Sequence, residues 1–90
     1  MNEFFYKNFK DRINHIFNLW DPIKIAKYSS IEYSAEADEI IDKVTKKTKP
    51  ETIAKIIFRV FSKNYNGEFT YSKEDCLHIA GMIQREIDKY

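Results

Sequence analysis

Ninety residues, 43% hydrophobic and 32% charged with only two glycines and two prolines, form one domain over 1–90 and argue against a turn-dense β sandwich. A net charge of +1 gives no general drive toward nucleic acid or an anionic membrane, and apolar runs of a few residues cannot span a bilayer. A single cysteine, Cys76, excludes an intrachain disulfide; with an N-terminus that lacks the apolar core of a signal peptide, cytoplasm is the expected compartment.

The first helix is predicted over residues 2–19. Phe5, Phe9, Ile13, Ile16 and Trp20 recur at spacings of four, four, three and four, which is one face of a 3.6-residue period. Phe17 widens the stripe. Leu19-Trp20-Asp21-Pro22-Ile23 then closes the pattern, because a residue before proline is pushed out of the α region. Alternatively, Asp21 caps a short new turn with Pro22 at its first position, and Ile23, Ile25 and Ala26 fold back as an apolar lid.

Residues 27–33 read as a loop around Ser29-Ser30. A second helix follows over 34–47, with Ser34 as its N-cap and Ala37, Ile40, Ile41 and Val44 as its apolar stripe. Its acids, Glu36, Asp38 and Glu39, come early and its bases, Lys43, Lys46 and Lys47, come late. That order suits the helix dipole, by about 0.3–1 kcal/mol per charge. A third helix begins near Thr48, where Thr48-Lys49-Pro50-Glu51 fits a capping box. Ile53, Ala54, Ile56, Ile57, Val60 and Phe61 make it the most hydrophobic segment, and Gly67 is the expected left-handed residue after Asn64-Tyr65-Asn66. Glu68-Phe69-Thr70-Tyr71 is too short for an independent strand and is expected to plug a gap between helices. The fourth helix starts at Ser72, with Asp75 three residues on. Its inner face is Cys76, Ile79, Ala80, Ile83 and Ile87, with Leu77 at the edge and Tyr90 extending it. The fold class is therefore all-α, a small four-helix bundle.

Chemistry-bearing residues are few. Cys76 and His78 lie two apart, about 200° around a helix, and do not converge. A cysteine nucleophile needs a base within hydrogen-bond reach, so Cys76 reads as a buried small hydrophobe. One Cys and two scattered His do not make a zinc site. Glu36 and Glu39, and Asp38 and Asp42, share helix faces, but a continuous helix cannot wrap oxygen ligands around one ion. No glycine-rich phosphate loop or nucleophile elbow occurs. The chain reads as a non-enzyme without cofactor or metal.

Charge distribution is more informative. Glu32 to Asp42 holds five acids and no base, and Lys43 to Lys63 holds seven bases and one acid. One explanation is internal neutralisation; the other is a pair of patches that steer partners. Tyr28, Ile31 and Tyr33 precede the acids. Tyr28, Glu32, Tyr33, Glu36, Asp38, Glu39 and Asp42 together form the candidate surface for a basic protein partner. Reversal of Glu36 and Glu39 to Lys is then expected to weaken partner binding without disturbing folding.

Trp20-Asp21-Pro22 after helix one, Glu32-Tyr33 before helix two, and Cys76-Leu77-His78-Ile79-Ala80 in helix four resemble a family of small bacterial helical proteins of unknown function. Many of its members have Gly soon after the Pro, where this chain has Ile23-Lys24-Ile25. The resemblance implies four helices and no established activity. In architecture, the chain is also similar to four-helix immunity proteins, which present an acidic second helix with neighbouring Tyr to a basic nuclease toxin. That likeness implies toxin neutralisation through the candidate surface. The alternative is a small housekeeping structural or regulatory protein, monomeric or dimeric through Phe4 and Tyr6. Nucleic-acid binding through residues 43–63 ranks third, since one Arg stands among the lysines and no aromatic stacking run accompanies them.

Overall fold

A computed structural model describes the backbone of residues 3–28 and 32–89, and the side chains of 7–25, 27–28 and 32–89. Among these residues there are four α-helices, α1 (Glu3–Trp20), α2 (Ser34–Lys43), α3 (Pro50–Asn64) and α4 (Lys73–Asp88), with a 3-10 turn at Ala26–Tyr28 and no strand. Each helix packs on its neighbour in the chain, and α4 closes the ring on α1. The core is Phe9, Ile13, Ile16 and Phe17 of α1; Ala37, Ile40 and Ile41 of α2; Ile53, Ala54, Ile57, Val60 and Phe61 of α3; and Cys76, Ile79, Ala80, Ile83 and Ile87 of α4. These are the residues whose helical spacing marks one face in each segment. The expected roles of Phe4, Phe5, Tyr6, Ser29, Ser30, Ile31 and Tyr90, and of the Ala26 side chain, lie outside the described residues.

The end of α1 is built around Trp20 and Asp21. The Trp20 ring meets Phe61 at 5.5 Å, Phe69 at 5.8 Å and Tyr71 at 5.3 Å between centroids. Each such aromatic pair contributes about 0.5–1.5 kcal/mol beyond its buried area. Phe69 and Tyr71 thus fill the gap assigned to them. Asp21 adopts φ +46 and its N–H donates to the Phe17 carbonyl at 2.7 Å, a left-handed helix termination. Asp21 both ends α1 and holds the turn that starts at Pro22: its carbonyl accepts from the Lys24 N–H at 3.2 Å and its Oδ1 from the Ile25 N–H at 2.9 Å. Lys24 is also left-handed, at φ +64. Ile23 and Ile25 fold back on the core as a lid.

Three expected helix ends differ. α2 stops at Lys43, not at 47, because Thr45 and Thr48 offer the backbone other partners: Thr45 N–H donates to Thr48 Oγ1 at 2.8 Å and Lys47 N–H to Thr45 Oγ1 at 3.2 Å. Lys46 and Lys47 therefore sit in an exposed turn. That same use of Thr48 removes the capping box: α3 starts at Pro50 with Lys49 as N-cap and no side-chain cap. Ser34 is not the cap of α2 either; the N-cap is Tyr33, whose side chain is directed elsewhere. α4 does carry a reciprocal cap, with Ser72 and Asp75 each bonding the other's backbone N–H. Gly67 holds φ +84 after α3, as expected.

Candidate functional site

The seven candidate surface residues separate into an inner and an outer group. Tyr33 is fully buried and Glu36 is 4% exposed, so neither presents itself to a partner. The Tyr33 hydroxyl donates to Asp21 Oδ1 at 2.6 Å, and the same oxygen of Asp21 accepts from the Ile25 N–H at 2.9 Å. Burial first, and the Asp21 carboxylate second, push the Tyr33 phenol above its ordinary range. Tyr33 is thus the bolt that fixes the turn after α1 to the start of α2.

Glu36 is held by α3. Its Oε1 accepts from the Tyr65 hydroxyl at 2.7 Å and its Oε2 from Asn64 Nδ2 at 2.8 Å. Burial, then the Glu36 carboxylate, raise the Tyr65 phenol as well. A buried carboxylate is tolerated only with such partners. Reversal of Glu36 to Lys is therefore expected to damage the fold, where the sequence alone led to the expectation of intact folding.

Two further acids are engaged at the surface. Asp38 pairs with Lys10 at 3.0 Å. Glu39 pairs with Lys63 at 2.8 Å, lies 3.9 Å from Lys43 and accepts from Asn64 at 3.2 Å. Lys63 first, then Asn64, hold the Glu39 carboxyl below its usual range. Three residues of the candidate surface remain. Tyr28 is 71% exposed with Lys27 over its ring at 5.3 Å, Asp42 is exposed and Glu32 is half-buried.

The basic segment behaves differently. Lys43 and Lys63 share Glu39, but among the described residues no carboxylate pairs with Lys46, Lys47, Lys49, Lys55 or Arg59, all exposed. Internal neutralisation by lysine therefore reaches Asp38 and Glu39, Glu36 is held by the neutral donors Asn64 and Tyr65, and most of the bases of residues 43–63 are left over. Arg59 alone of these lies on the groove between α2 and α3. Glu39, Lys43, Ile56, Arg59, Val60 and Lys63 line a shallow cavity of about 110 Å³ between α2 and α3. An i+3 and i+4 relation joins Ile56, Arg59, Val60 and Lys63 on one face, which was the available signal.

Cys76 is buried, and desolvation, with Asp75 nearby, pushes its thiol up to about 12. At neutral pH it is a protonated, sealed group. His15 and His78 are exposed, on α1 and α4. Among the described residues no three His, Cys, Asp or Glu side chains gather as a metal site, and no helix is long and apolar enough to cross a membrane.

Residues 12–85 match the sequence profile of a family described as a domain of unknown function, DUF1871. Neither a curated protein nor a solved structure matches the chain. The likeness to immunity proteins gains no support from these comparisons.

Proposed function

This chain belongs to the DUF1871 family, a domain of unknown function, and on that premise we propose that it is a non-catalytic protein-binding module. The observation that carries this reading is the unequal use of charge along α2 and α3. Glu36, Asp38 and Glu39 are engaged within the fold, while Arg59 is exposed on an apolar-floored groove and Lys46, Lys47, Lys49 and Lys55 are exposed elsewhere on α3 and the turn before it. Charged rims around a small apolar centre are the anatomy of a transient protein interface. The sealed thiol of Cys76 and the exposed, separated histidines offer no nucleophile–base pair, which supports a non-catalytic role.

The narrower immunity-type reading needs a basic partner on the α2 side. Tyr28, Glu32 and Asp42 are the members of that surface still available to it, and the exposed Tyr28 ring is the feature in its favour.

The test is native mass spectrometry of the tagged protein purified at natural abundance from cells that make it. A stoichiometric complex with a second protein is expected. Asp42→Lys with Tyr28→Ala weakens that complex if the partner is a basic toxin, and Lys55→Glu weakens it if the partner docks on α3. Recovery of the free monomer alone counts against the module.

A further inference from the structure

The groove between α2 and α3 has a definite chemistry. Its floor is Val60, buried, and Ile56, half-buried. Its rim is Lys43, Arg59 and Lys63 with one carboxylate, Glu39. Glu39 is already shared between Lys63, Lys43 and Asn64. Arg59 faces solvent with no carboxylate on it among the described residues. Lys55, Arg59 and Lys63 follow one another at intervals of four, which on a helix is a rise of about 6 Å per step along one face. Where the chain turns from α2 into α3, exposed Lys46, Lys47 and Lys49 add to the same sign.

We infer that this groove docks an acidic amphipathic segment of a different protein. One apolar side chain of that segment covers Ile56 and Val60, and carboxylates one helical turn to either side meet Arg59 and the Lys43–Lys63 pair. Arg59 supplies the strongest contact, because a guanidinium takes a carboxylate through two parallel hydrogen bonds. A cavity of about 110 Å³ admits a side chain. It is far below the roughly 300 Å³ at which sites for whole small molecules begin.

Protein chemistry fits better than nucleic acid here. An apolar floor gives a phosphate backbone nothing to bind. Among the described residues no aromatic ring lines the groove for a base to stack on. A second copy of this chain also fits poorly, since Glu36, Asp38 and Glu39 of its own acidic segment are engaged internally. This inference rests on the protein-binding reading above.

Amide chemical-shift titration of the ¹⁵N-labelled protein tests it, with three probes at physiological salt. One is a helical peptide bearing Leu on one stripe and Glu flanking it; the second replaces each Glu by Lys; the third is a single-stranded oligonucleotide. The acidic peptide is expected to shift resonances of Lys43, Ile56, Arg59, Val60 and Lys63. Arg59→Glu is expected to weaken it at least tenfold while leaving the rest of the spectrum in place, and Arg59→Lys to weaken it less. Equal or tighter binding of the basic peptide or the oligonucleotide at the groove overturns the inference, as does the absence of groove shifts with the acidic peptide. The two readings fail separately. A stoichiometric natural complex untouched by Arg59→Glu removes the groove and keeps the module; peptide binding without any natural complex does the reverse.

Discussion

Removal of the Tyr65 hydroxyl isolates the contribution of the buried Glu36 carboxylate. In Tyr65→Phe the ring keeps its stacked contact with Phe61 at 5.9 Å and its edge contact with Tyr33 at 6.3 Å. Only the 2.7 Å donor to Glu36 Oε1 disappears. A hydrogen bond to a charged acceptor contributes about 1.5–3 kcal/mol, and here the acceptor has little water to replace it. We expect a loss of about 2 kcal/mol, which for a domain of this size lowers Tm by roughly 8–16 °C. Glu36→Leu removes the carboxylate and its desolvation cost together. It leaves the Tyr65 phenol half-exposed and Asn64 exposed, so its own loss is expected at about 1 kcal/mol. In the double variant Tyr65→Phe adds almost nothing to Glu36→Leu, a coupling of about 1–2 kcal/mol. Urea denaturation followed by circular dichroism gives all four corners of the cycle. A Tyr65→Phe loss below about 0.5 kcal/mol, or a coupling of zero, would mean that Glu36 is adequately hydrated and that the α2–α3 contact does not depend on it.

Other substitutions probe the joint after α1, the two left-handed turns and the alkaline limb. Asp21→Ala removes the side chain that makes the left-handed conformation at φ +46 tolerable and strands the buried Tyr33 hydroxyl, for a loss of about 2–4 kcal/mol by denaturation, while Asp21→Asn keeps both the backbone preference and an acceptor and loses less. Lys24→Gly, at φ +64, is expected to raise stability by about 1 kcal/mol, whereas Gly67→Ala, at φ +84, lowers it by about the same; a common sign for the two in thermal melts would contradict this. Above pH 9, unfolded Cys76 loses its proton while the folded thiol, raised to about 12, retains it, so stability falls as pH rises from 9 toward 12, at up to about 1.4 kcal/mol per unit. The raised phenols of Tyr33 and Tyr65 add to that fall above pH 10. Cys76→Ala should flatten the first part of the slope in urea midpoints measured from pH 8 to 11; an unchanged slope would show that the thiol ionises equally in both states.

Helix number, the inner face of each helix, the termination by Gly67 and the reciprocal cap at Ser72 and Asp75 all follow from local periodicity and backbone preference. These are short-range properties that a linear pattern displays. The burial of Tyr33 and Glu36 was also within reach. Positions 33, 36, 37, 40, 41 and 44 form one continuous helical stripe, so both polar residues lie on the face that Ala37, Ile40 and Ile41 turn inward. Residue type suggested an exposed patch where spacing indicated the core. Only the tertiary structure shows what makes that burial tolerable, because Asp21, Asn64 and Tyr65 reach these groups across 12, 28 and 29 residues of chain. It also decides which charges remain free. Counting along the chain makes the acidic and basic segments look equivalent, but packing brings Lys10, Lys63 and Asn64 onto the acids and nothing comparable onto Arg59. Whether a charge meets its partner or solvent depends on long-range juxtaposition of helices, and no local pattern encodes that.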